Sequence, residues 1–542
     1  MDDRPERAGR DRLAGACALI LRSGSRRRPR SPRARASFWI SGLLLALVFG
    51  TFPEASAIRG EDWLPVTAGV DYRAYVLGGP VRVYVARMDI DQTQVIVESS
   101  IGGGGVGGGL ETVSGMARRY DQSLTAWGGA WGPRGRVAVA INGSSFDPET
   151  STPYGGLLHS GWYALRYGSL AGGSGFVWTA ERDAAIRGCV ENDKDRQVIT
   201  RLSTGERTEF DSVNLEREDD GLILFTPQYG PESPSGQREI EAVVRVERPL
   251  AIVPLPRRVL GTLVEVRDGH GGTPILFDEI VLAGKGPFAE SYLRNLSQGE
   301  VLGFSQEITD LGFGCDGDRD FDWSKAYAGI GGGFVFLRDG EIYDSDEWGS
   351  DVHDPRTAVC LNDEFVYFIV VDGRRPGFSR GMTLGELALF CRDDLGASWG
   401  LNQDGGGSSA MWVDGQIVNN PSDGHERPIA NGLLMMSVGP AVRSSRFSEG
   451  FQVDVQLPGD VRLGPGGNQP VLGQAWPGEV VRIAPTAPSL RGVFANGSFW
   501  WKVEYAGELG WIAEQSLVRP GDALGVFQLP TPPWSGFGTL SH

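Results

Sequence analysis

The glycine content constrains this chain most, because it limits how long any regular element can be. Glycine accounts for 79 of 542 residues, about twice the usual frequency of roughly 7%. The glycines follow no three-residue period, which excludes a collagen-like chain. Together with 32 Pro and a 10% share of aromatic residues, they indicate many tight turns between short β-strands. A hydrophobic share of 41% is enough to build a core and excludes wholesale disorder.

The charge balance limits the possible partners. The chain has 51 Lys and Arg against 68 Asp and Glu, which gives a net charge of −17. Nucleic-acid binding depends on cationic side chains that neutralise phosphates. We therefore expect no nucleic-acid binding, and we interpret the acidity as favouring solubility.

The first 57 residues differ from the rest and are typical of an export signal. An Arg-rich stretch over 22–35 precedes an uncharged apolar stretch over 38–52, and 55–57 supplies small residues at the spacing of a cleavage site. The apolar stretch has 15 residues, fewer than the roughly 20 that a membrane-spanning helix needs. We expect an exported protein that is periplasmic, extracellular or associated with the cell envelope. An uncleaved signal anchor is the alternative.

The remaining sequence predicts an α+β fold in which strands predominate. Alternating apolar and polar residues predict strands at 71–77 and 80–89. Thr383 and Glu386 form a capping box that predicts a helix over 383–394. A further β-rich stretch, at 213–308, contains frequent turn residues and is expected to be an inserted or packed subdomain.

Changes in composition predict the domain boundaries. A Trp-rich run of short strands follows Ser444, and we interpret it as a small β-barrel that folds independently. The predicted divisions are an export signal at 1–57, a β-rich mixed domain at 66–440 that includes the 213–308 region, a barrel at 449–520 and a Pro-rich tail at 521–542.

Export would place the cysteines in an oxidising compartment, but their pairing stays open. Cys17 lies in the leader, so that Cys189, Cys315, Cys360 and Cys391 remain. Four cysteines allow three pairings, and the sequence does not choose among them. Cys360 and Cys391 lie next to apolar residues and fit buried free thiols equally well.

Polar residues collect where predicted strands of the 327–438 segment meet loops, and binding sites commonly form at such rims. Asp404 precedes three consecutive glycines, whose backbone N–H groups can approach an anion. Arg356 and Arg374 lie at two other strand ends, and a guanidinium group can hold a phosphate through two hydrogen bonds. On spacing alone, each motif also fits a turn or a surface ion pair.

Several other kinds of site lack their sequence signals. The five His residues show no metal-ligand spacing, and no two Cys residues have the Cys-x-x-Cys spacing of a zinc site. The glycine-rich run at 103–107 lacks the Lys of a phosphate-binding loop, and no nucleophile elbow follows a strand. We therefore expect neither a metal ion nor a cofactor.

Four stretches of the sequence, taken together, resemble the motifs of a known protein family. They are INGSSFDPETSTPYGGLLHSG from Ile141, RTAVC from Arg356, VDGRRPGFSRGMTLGELA from Val371 and LNQDGGGSSAMWVDGQIVNNPSDGHERPIANGLL from Leu401. In this order they resemble the phosphodiester glycosidases, the family of the lysosomal uncovering enzyme, over about 66–438. The ordered set is far more specific than any single motif.

The resemblance implies hydrolysis of a sugar-1-phosphodiester, which releases the sugar and leaves a phosphomonoester. Such a substrate needs cationic and N–H groups at its phosphate, and carboxylates for acid, base or nucleophile roles at the glycosidic carbon. The catalytic candidates are Asp404, Asp372, Asp147 and Asp423. The candidates for binding phosphate or sugar are Arg356, Arg374, Asn142, Asn402, Gly405, Gly406, Gly407, Ser408, Ser409, Asn419 and Arg427. The chain departs from the family pattern at Cys360, Gln403 and Ser144, and no charged motif residue is lost.

The C-terminal run resembles a bacterial SH3-like domain through 497–503 and 507–512. That resemblance implies binding to cell-wall peptide or polysaccharide, and a barrel that only packs on the main domain is the alternative. The leading hypothesis is an exported phosphodiester glycosidase that acts on envelope or extracellular glycans. The competing hypothesis is a non-catalytic glycan-binding envelope protein with the same fold.

Overall fold

The structure is a computed structural model that describes residues 62–521 except 121–123, 128–129, 168–172, 189, 193, 217–218, 237–239, 270, 311–320 and 344–348. The predicted export signal, Cys189, Cys315 and the tail beyond Gly521 lie outside the described residues. Within the described part of the chain, no helix has the length and apolar character needed to cross a membrane.

The first sheet supplies three of the strand ends that form the candidate site. Neighbouring strands in it are antiparallel, and two of them confirm the strands predicted at 71–77 and 80–89. Its register pairs Arg356 with Val371 and Ala358 with Asn402. The start of the strand Arg356–Leu361 and the ends of its two neighbours therefore lie at the same end of the sheet. In order across the sheet, its strands are Leu64–Thr67, Val70–Leu77, Val81–Asp89, Phe365–Val371, Arg356–Leu361, Trp399–Asn402, Val335–Arg338 and Glu341–Ile342.

Two further sheets lie beside the first. The strands of one are Gln416–Ile417, Met411–Val413, Ala130–Asn142, Asn431–Val438 and Val95–Ile101, with Leu124–Trp127 paired to Ala130–Asn142. The strands of the other are Ala184–Arg187, Gly175–Thr179, Ala326–Gly331, Leu157–His159 and Trp162–Leu165. Asn142 ends the long strand of the former sheet and pairs with Gly432.

Three α-helices accompany the sheets in the described residues: α1 (Val113–Tyr120), α2 (Pro287–Arg294) and α3 (Leu384–Leu389). The predicted capping box begins α3, since the Thr383 hydroxyl accepts from the Glu386 N–H and the Glu386 carboxylate accepts from the Thr383 N–H, each at 3.1 Å. A wider π-helical turn over Phe390–Asp394 follows directly. The helix predicted over 383–394 is therefore confirmed, with its second half in this wider form.

The first sheet is covered on both faces, which explains why its strands are largely apolar. One face packs against the two further sheets through buried side chains such as Val97, Val139 and Phe368. The other face packs against α3 through Ile369 and Leu387. In the central strands Arg356–Leu361 and Phe365–Val371, which are almost wholly buried, charged side chains are confined to the ends.

The inserted region forms a sheet of its own, and its core includes side chains of the neighbouring sheet such as Trp162 and Val177. In order, its strands are Arg207–Glu209, Gln197–Arg201, Val301–Gln306, Val259–Asp268, Ile240–Val246, Glu279–Lys285, Gly221–Phe225 and Ser212–Val213. A two-strand pair, Val190–Glu191 with Thr309–Asp310, lies at its base. The sheet begins before residue 213, because Gln197–Arg201 pairs with Val301–Gln306.

The C-terminal unit is an antiparallel arrangement of short strands around a small core. Its strands, in order, are Val471–Ala475, Gly459–Arg462, Glu508–Ala513, Ser498–Tyr505, Val480–Ile483, Gln452–Val455 and Leu517–Val518, with Val493–Ala495 paired to Ser498–Tyr505. The short strands predicted after Ser444 are confirmed.

The C-terminal unit shares a buried interface with the rest of the protein. The Lys502 ammonium group donates to Asp278 Oδ1 at 2.7 Å and to Glu279 Oε1 at 3.0 Å, and all three side chains are almost wholly buried. Trp131 of the main domain belongs to the same apolar cluster as Trp511 of the C-terminal unit. Removing the unit would expose this cluster and leave two buried carboxylates without their cation, which argues against the prediction that the module folds independently.

Candidate active site

Asn142 connects its own sheet to the first sheet at the end where the candidate site lies. Its side chain is fully buried. Its amide nitrogen donates to the carbonyl oxygen of Asp404 at 2.7 Å, and its oxygen accepts from the Thr357 hydroxyl at 2.7 Å and from the Ala410 N–H at 3.2 Å. One side chain thus fixes the loop after Trp399–Asn402 against the end of its own strand.

The loop after Asp404 turns sharply at Gly406, whose φ of 62° lies in the left-handed region that favours glycine. A Cβ on the next glycine, Gly407, would lie 2.0 Å from a terminal nitrogen of Arg427 and 2.3 Å from Asp423 Oδ2, so these side chains would have to move. A Cβ on Gly406 would lie 3.0 Å from the Arg374 guanidinium. Gly406 and Gly407 therefore let two guanidinium groups approach the backbone beside Asp404, and Gly405 lies against the Pro355 carbonyl. The three glycines at 405–407 form one turn. We call these glycines the triglycine turn.

The Asp404 carboxyl group lies in the middle of this arrangement. Ser145 donates to its Oδ1 at 3.2 Å. Burial raises the pKa of Asp404 above its ordinary value, and hydrogen bonds from Ser408 and Ser145, the charge of Arg427 and the Gly405 N–H only partly oppose this effect. A carboxylate with a raised pKa is a stronger base than an exposed aspartate, which is the property that general-base catalysis uses.

Arg374 and Arg427 place positive charge on the triglycine turn. Arg374 forms a two-point ion pair with Asp354, at 2.6 and 2.8 Å, and Arg427 pairs with Asp423 at 2.8 Å. The Arg374 and Arg427 side chains are nevertheless 50% and 41% exposed. Because both side chains remain partly exposed and a guanidinium group has five N–H donors, an anion could bind here without breaking either ion pair.

Asp372 follows the strand Phe365–Val371 but is enclosed, with 1% of its surface exposed. Its Oδ2 accepts from the Tyr84 hydroxyl at 2.9 Å. Its Oδ1 accepts from the Asn420 N–H at 2.9 Å and from the Asn419 amide at 3.2 Å. Neutral donors thus surround this carboxylate and tie the loop at 419–420 to the strand end.

Arg356 is also enclosed, and its donors face the backbone. Its Nε donates to the Met382 carbonyl at 2.9 Å, and one terminal nitrogen donates to the carbonyls of Gly349 and Val352 at 2.7 and 2.6 Å. Burial lowers the pKa of this guanidinium group. These contacts hold the loop before α3 in place. They indicate a positioning role for Arg356 instead of the predicted phosphate contact.

Asn402 lies two residues before Asp404 at the end of the strand Trp399–Asn402. In an extended chain, residues two apart face the same side. The Asn402 Oδ1 is buried and has no hydrogen-bond partner among the described residues. An unsatisfied buried acceptor at this strand end is suited to a ligand hydroxyl group.

The other predicted residues occupy supporting positions. Ser409 is buried 3.1 Å from the Thr357 hydroxyl, and the Asn419 oxygen accepts from the Met411 N–H at 2.8 Å. Asp147 accepts from the N–H groups of residues 149 and 150 and so closes its own loop. The structure therefore brings together Asp404, the triglycine turn, Ser408, Arg374, Arg427 and Asp423. Asn142, Asn402, Ser409 and Asn419 lie around this group. Asp372 and Arg356 are enclosed by the protein, and Asp147 only closes its own loop.

Sequence analysis missed three residues that contact the catalytic candidates. Ser145 lies within the quoted run from Ile141, where a hydroxyl three residues after Asn142 was an available signal. Asn420 lies within the quoted run from Leu401, directly after Asn419, and was equally accessible. Tyr84 carries no such signal, because it is an ordinary strand residue and its contact with Asp372 spans 288 positions. Among the described residues, no group of three or more His, Cys, Asp or Glu side chains could hold a metal ion.

Comparison with known proteins adds three solved structures. A hypothetical protein from Synechocystis has a TM-score of 0.48 and 17% identity, with 71% of this chain and 64% of that chain covered. A putative exported protein from Burkholderia pseudomallei has a TM-score of 0.45 and 19% identity, with 66% and 74% covered. The zebrafish N-acetylglucosamine-1-phosphodiester α-N-acetylglucosaminidase catalytic domain, auto-inhibited by its pro-peptide, has a TM-score of 0.32 and 17% identity, with 70% and 86% covered.

No curated protein matches the chain. The match to the Synechocystis structure spans less than two thirds of that protein. A family model described as phosphodiester glycosidase matches residues 290–436. This segment contains Asp372, Arg374, Asp404 and Arg427. The part of the chain that carries these charged groups is therefore similar to the phosphodiester glycosidase family.

Proposed function

We propose that this protein is an exported hydrolase that cleaves the sugar from a sugar-1-phosphodiester in envelope or extracellular glycans. The observation that carries the proposal is the Asp404 carboxyl group, with its raised pKa, beside a glycine turn and two half-exposed guanidinium groups. The match of residues 290–436 to the phosphodiester glycosidase family model supports the same reaction class.

The phosphate half of the substrate would bind at the triglycine turn. Cleavage of the bond between the anomeric carbon and its oxygen leaves the electron pair on the phosphate, which departs as a phosphomonoester. Arg374 and Arg427 would stabilise the charge that develops on this leaving group, and backbone N–H groups of the turn would add donors. A phosphate group departs readily, so the reaction depends more on a base or nucleophile than on a strong acid.

Asp404 would act at the anomeric carbon. As a base it would take a proton from the attacking water, and as a nucleophile it would form a glycosyl ester that water then hydrolyses. Both routes need the ionised carboxylate. The configuration of the released sugar distinguishes them, because direct attack by water inverts the anomeric centre and a covalent intermediate retains it.

The remaining residues would position these groups. Asn402 would accept a hydrogen bond from a sugar hydroxyl through its unsatisfied Oδ1. Asn142 fixes the Asp404 backbone, and Asp372 fixes the loop at 419–420 from beneath. Arg356 holds the loop before α3. We assign Asp372 and Arg356 to positioning because their polar atoms face the protein.

A substrate panel tests the proposal against the binding-protein alternative. The purified chain would be incubated with sugar-1-phosphodiesters and with matched glycosides that lack phosphate, and both the free sugar and the phosphomonoester would be measured. We expect both products from the phosphodiesters alone. Binding without release of sugar would support the glycan-binding alternative, and equal cleavage of both series would remove the phosphate site from the account.

We also propose that the C-terminal unit is SH3-like and retains the protein on cell-wall material. A cleft of about 640 Å³ between this unit and the inserted sheet is lined by Val264, Glu265, Leu472, Tyr505 and Leu509, among others. It has the size of a ligand site. The variant Leu472→Glu should reduce retention on isolated cell walls and leave hydrolysis of a soluble substrate unchanged. Retention equal to that of the native chain would show that the unit only packs.

A further inference from the structure

Two cysteines meet in the apolar layer between the first sheet and α3. Cys360 lies in the strand Arg356–Leu361, and Cys391 lies in the π-helical turn after α3. Both side chains are fully buried, and their Sγ atoms are 2.7 Å apart. Around them pack apolar side chains such as Phe336 and Leu387. Neither thiol has another hydrogen-bond partner among the described residues.

We propose that Cys360 and Cys391 form a disulfide bond in the exported protein. The sulfur atoms already lie within reach of a bond without rearrangement of the strand or the turn. The inference rests on the export that we propose, since disulfides persist in oxidising compartments and are rare in the cytosol. It resolves a pairing that the sequence leaves open.

The reaction requires an external disulfide as oxidant, of the kind that an exporting compartment supplies through a protein or a small molecule. One cysteine thiolate attacks the oxidant and forms a mixed disulfide, with release of one thiol. The second cysteine then attacks the mixed disulfide, which closes the Cys360–Cys391 bond and releases a second thiol. Each cysteine loses one proton, and the oxidant takes up the two electrons.

Burial determines when this reaction can happen. Burial in the apolar layer raises the pKa of the Cys360 thiol, and the thiolate is the reactive form. Once the chain has folded in the reduced state, exchange should therefore be slow. The bond should form during folding after export, before α3 covers the strand.

The cross-link would stabilise the rim of the candidate site. The strand of Cys360 begins with Arg356 and Thr357, whose side chains contact the Met382 carbonyl and Asn142. The two cysteines are 31 positions apart, so the bond would restrict a sizeable loop of the unfolded chain. Reduction should lower the thermal midpoint by about 3–4 °C.

Peptide mapping tests the bond directly. The full chain would be isolated from the exporting cell with its thiols blocked, and digested with trypsin without reductant. Residues 357–374 and 381–392 form separate tryptic peptides with one cysteine each, so we expect one linked species that reductant splits. Both peptides recovered in the blocked, unlinked form from exported protein would overturn the proposal.

Stability gives an independent test that does not involve hydrolysis. Dithiothreitol should lower the thermal midpoint of the native chain and leave that of the Cys360→Ala, Cys391→Ala double variant unchanged. An equal shift in both proteins would assign the effect to other cysteines and contradict the proposal. Because neither readout uses a substrate, the disulfide can stand or fall separately from the proposed activity.

Discussion

The protein buries carboxylates in two regions, and the carboxylates have different hydrogen-bond donors in each region. At the interface of the C-terminal unit, Asp278 and Glu279 receive the Lys502 ammonium group at 2.7 and 3.0 Å, and no part of the Lys502 side chain is exposed. At the candidate site, Asp404 receives hydroxyl and N–H donors, and the guanidinium groups beside it are paired with other carboxylates.

The difference separates a structural use of buried charge from a chemical one. A carboxylate matched by a buried cation has no capacity left for a ligand, and breaking the match is costly. Burial raises the pKa of both Asp404 and Glu279. The two sites differ in their cations, since Glu279 contacts a fully buried ammonium group whereas the Arg427 side chain beside Asp404 is partly exposed and paired with Asp423. A perturbed carboxyl group with open neighbours is typical of reactive sites. Asp372 lies between these two cases. Its donors are neutral, like those of Asp404, but they enclose its carboxylate completely, so that no ligand can reach it.

Removal of the cation at the interface should cause the largest loss of stability. Lys502→Met leaves Asp278 and Glu279 buried without a counter-charge, and we expect the free energy of unfolding to fall by about 3–5 kcal/mol. Denaturant unfolding measures the loss. Adding Asp278→Asn and Glu279→Gln should recover much of it, because those changes remove the uncompensated charges. The exposed Arg392→Met serves as the matched control and should have no measurable effect. A comparable loss in both variants would contradict the structural assignment.

Removal of a guanidinium group at the candidate site should act on binding rather than on folding. Arg374→Ala removes a half-exposed charge from the triglycine turn, and we expect KM for phosphodiesters to rise about 10-fold or more with a smaller change in kcat. Steady-state kinetics measure both constants. Arg380→Ala is the control, because Arg380 pairs with Glu386. If Arg380→Ala raised KM equally, the phosphate would not be bound at the turn.

Ser145 should have a smaller effect, visible in the pH profile. Its hydrogen bond lowers the pKa of Asp404 against the effect of burial, so Ser145→Ala should raise that pKa further. Because the ionised carboxylate is the active form, kcat/KM falls as pH drops through the pKa of Asp404, and the variant should lose activity at a higher pH. We expect a two- to tenfold deficit on the acidic limb, roughly the value of one hydrogen bond, and none at high pH. A profile that is uniformly lower would argue against this role.

The local features of this fold could be predicted from the sequence because their causes are local. The capping box at Thr383 and Glu386 and the strands at 71–77 and 80–89 follow from spacing within a few residues. The grouping of Asp404 with the triglycine turn and Arg427 was also accessible, since all of them lie within one short stretch.

The features that could not be predicted depend on distant parts of the chain. Asp372 directly follows a strand, as an exposed catalytic residue would, and its enclosure comes from Tyr84, 288 positions away, and from Asn419 and Asn420. Lys502 resembles any strand lysine until Asp278 and Glu279, more than 200 positions away, are placed beside it. Composition therefore suggested an independent module where the structure has a shared buried interface.

The most direct test of the central claim compares Asp404→Asn with Asp372→Asn. Both changes keep the size of the side chain and remove one negative charge. For Asp404→Asn, we expect kcat to fall by at least about 10²-fold on a sugar-1-phosphodiester, with the thermal midpoint unchanged or raised, because a charge that is costly to bury has been removed. For Asp372→Asn, we expect a loss of stability of about 1–3 kcal/mol, because the amide keeps only one acceptor oxygen and the donors that face its NH2 group lose their partner. Near-normal turnover by a folded Asp404→Asn variant would contradict the account and remove Asp404 from the chemistry.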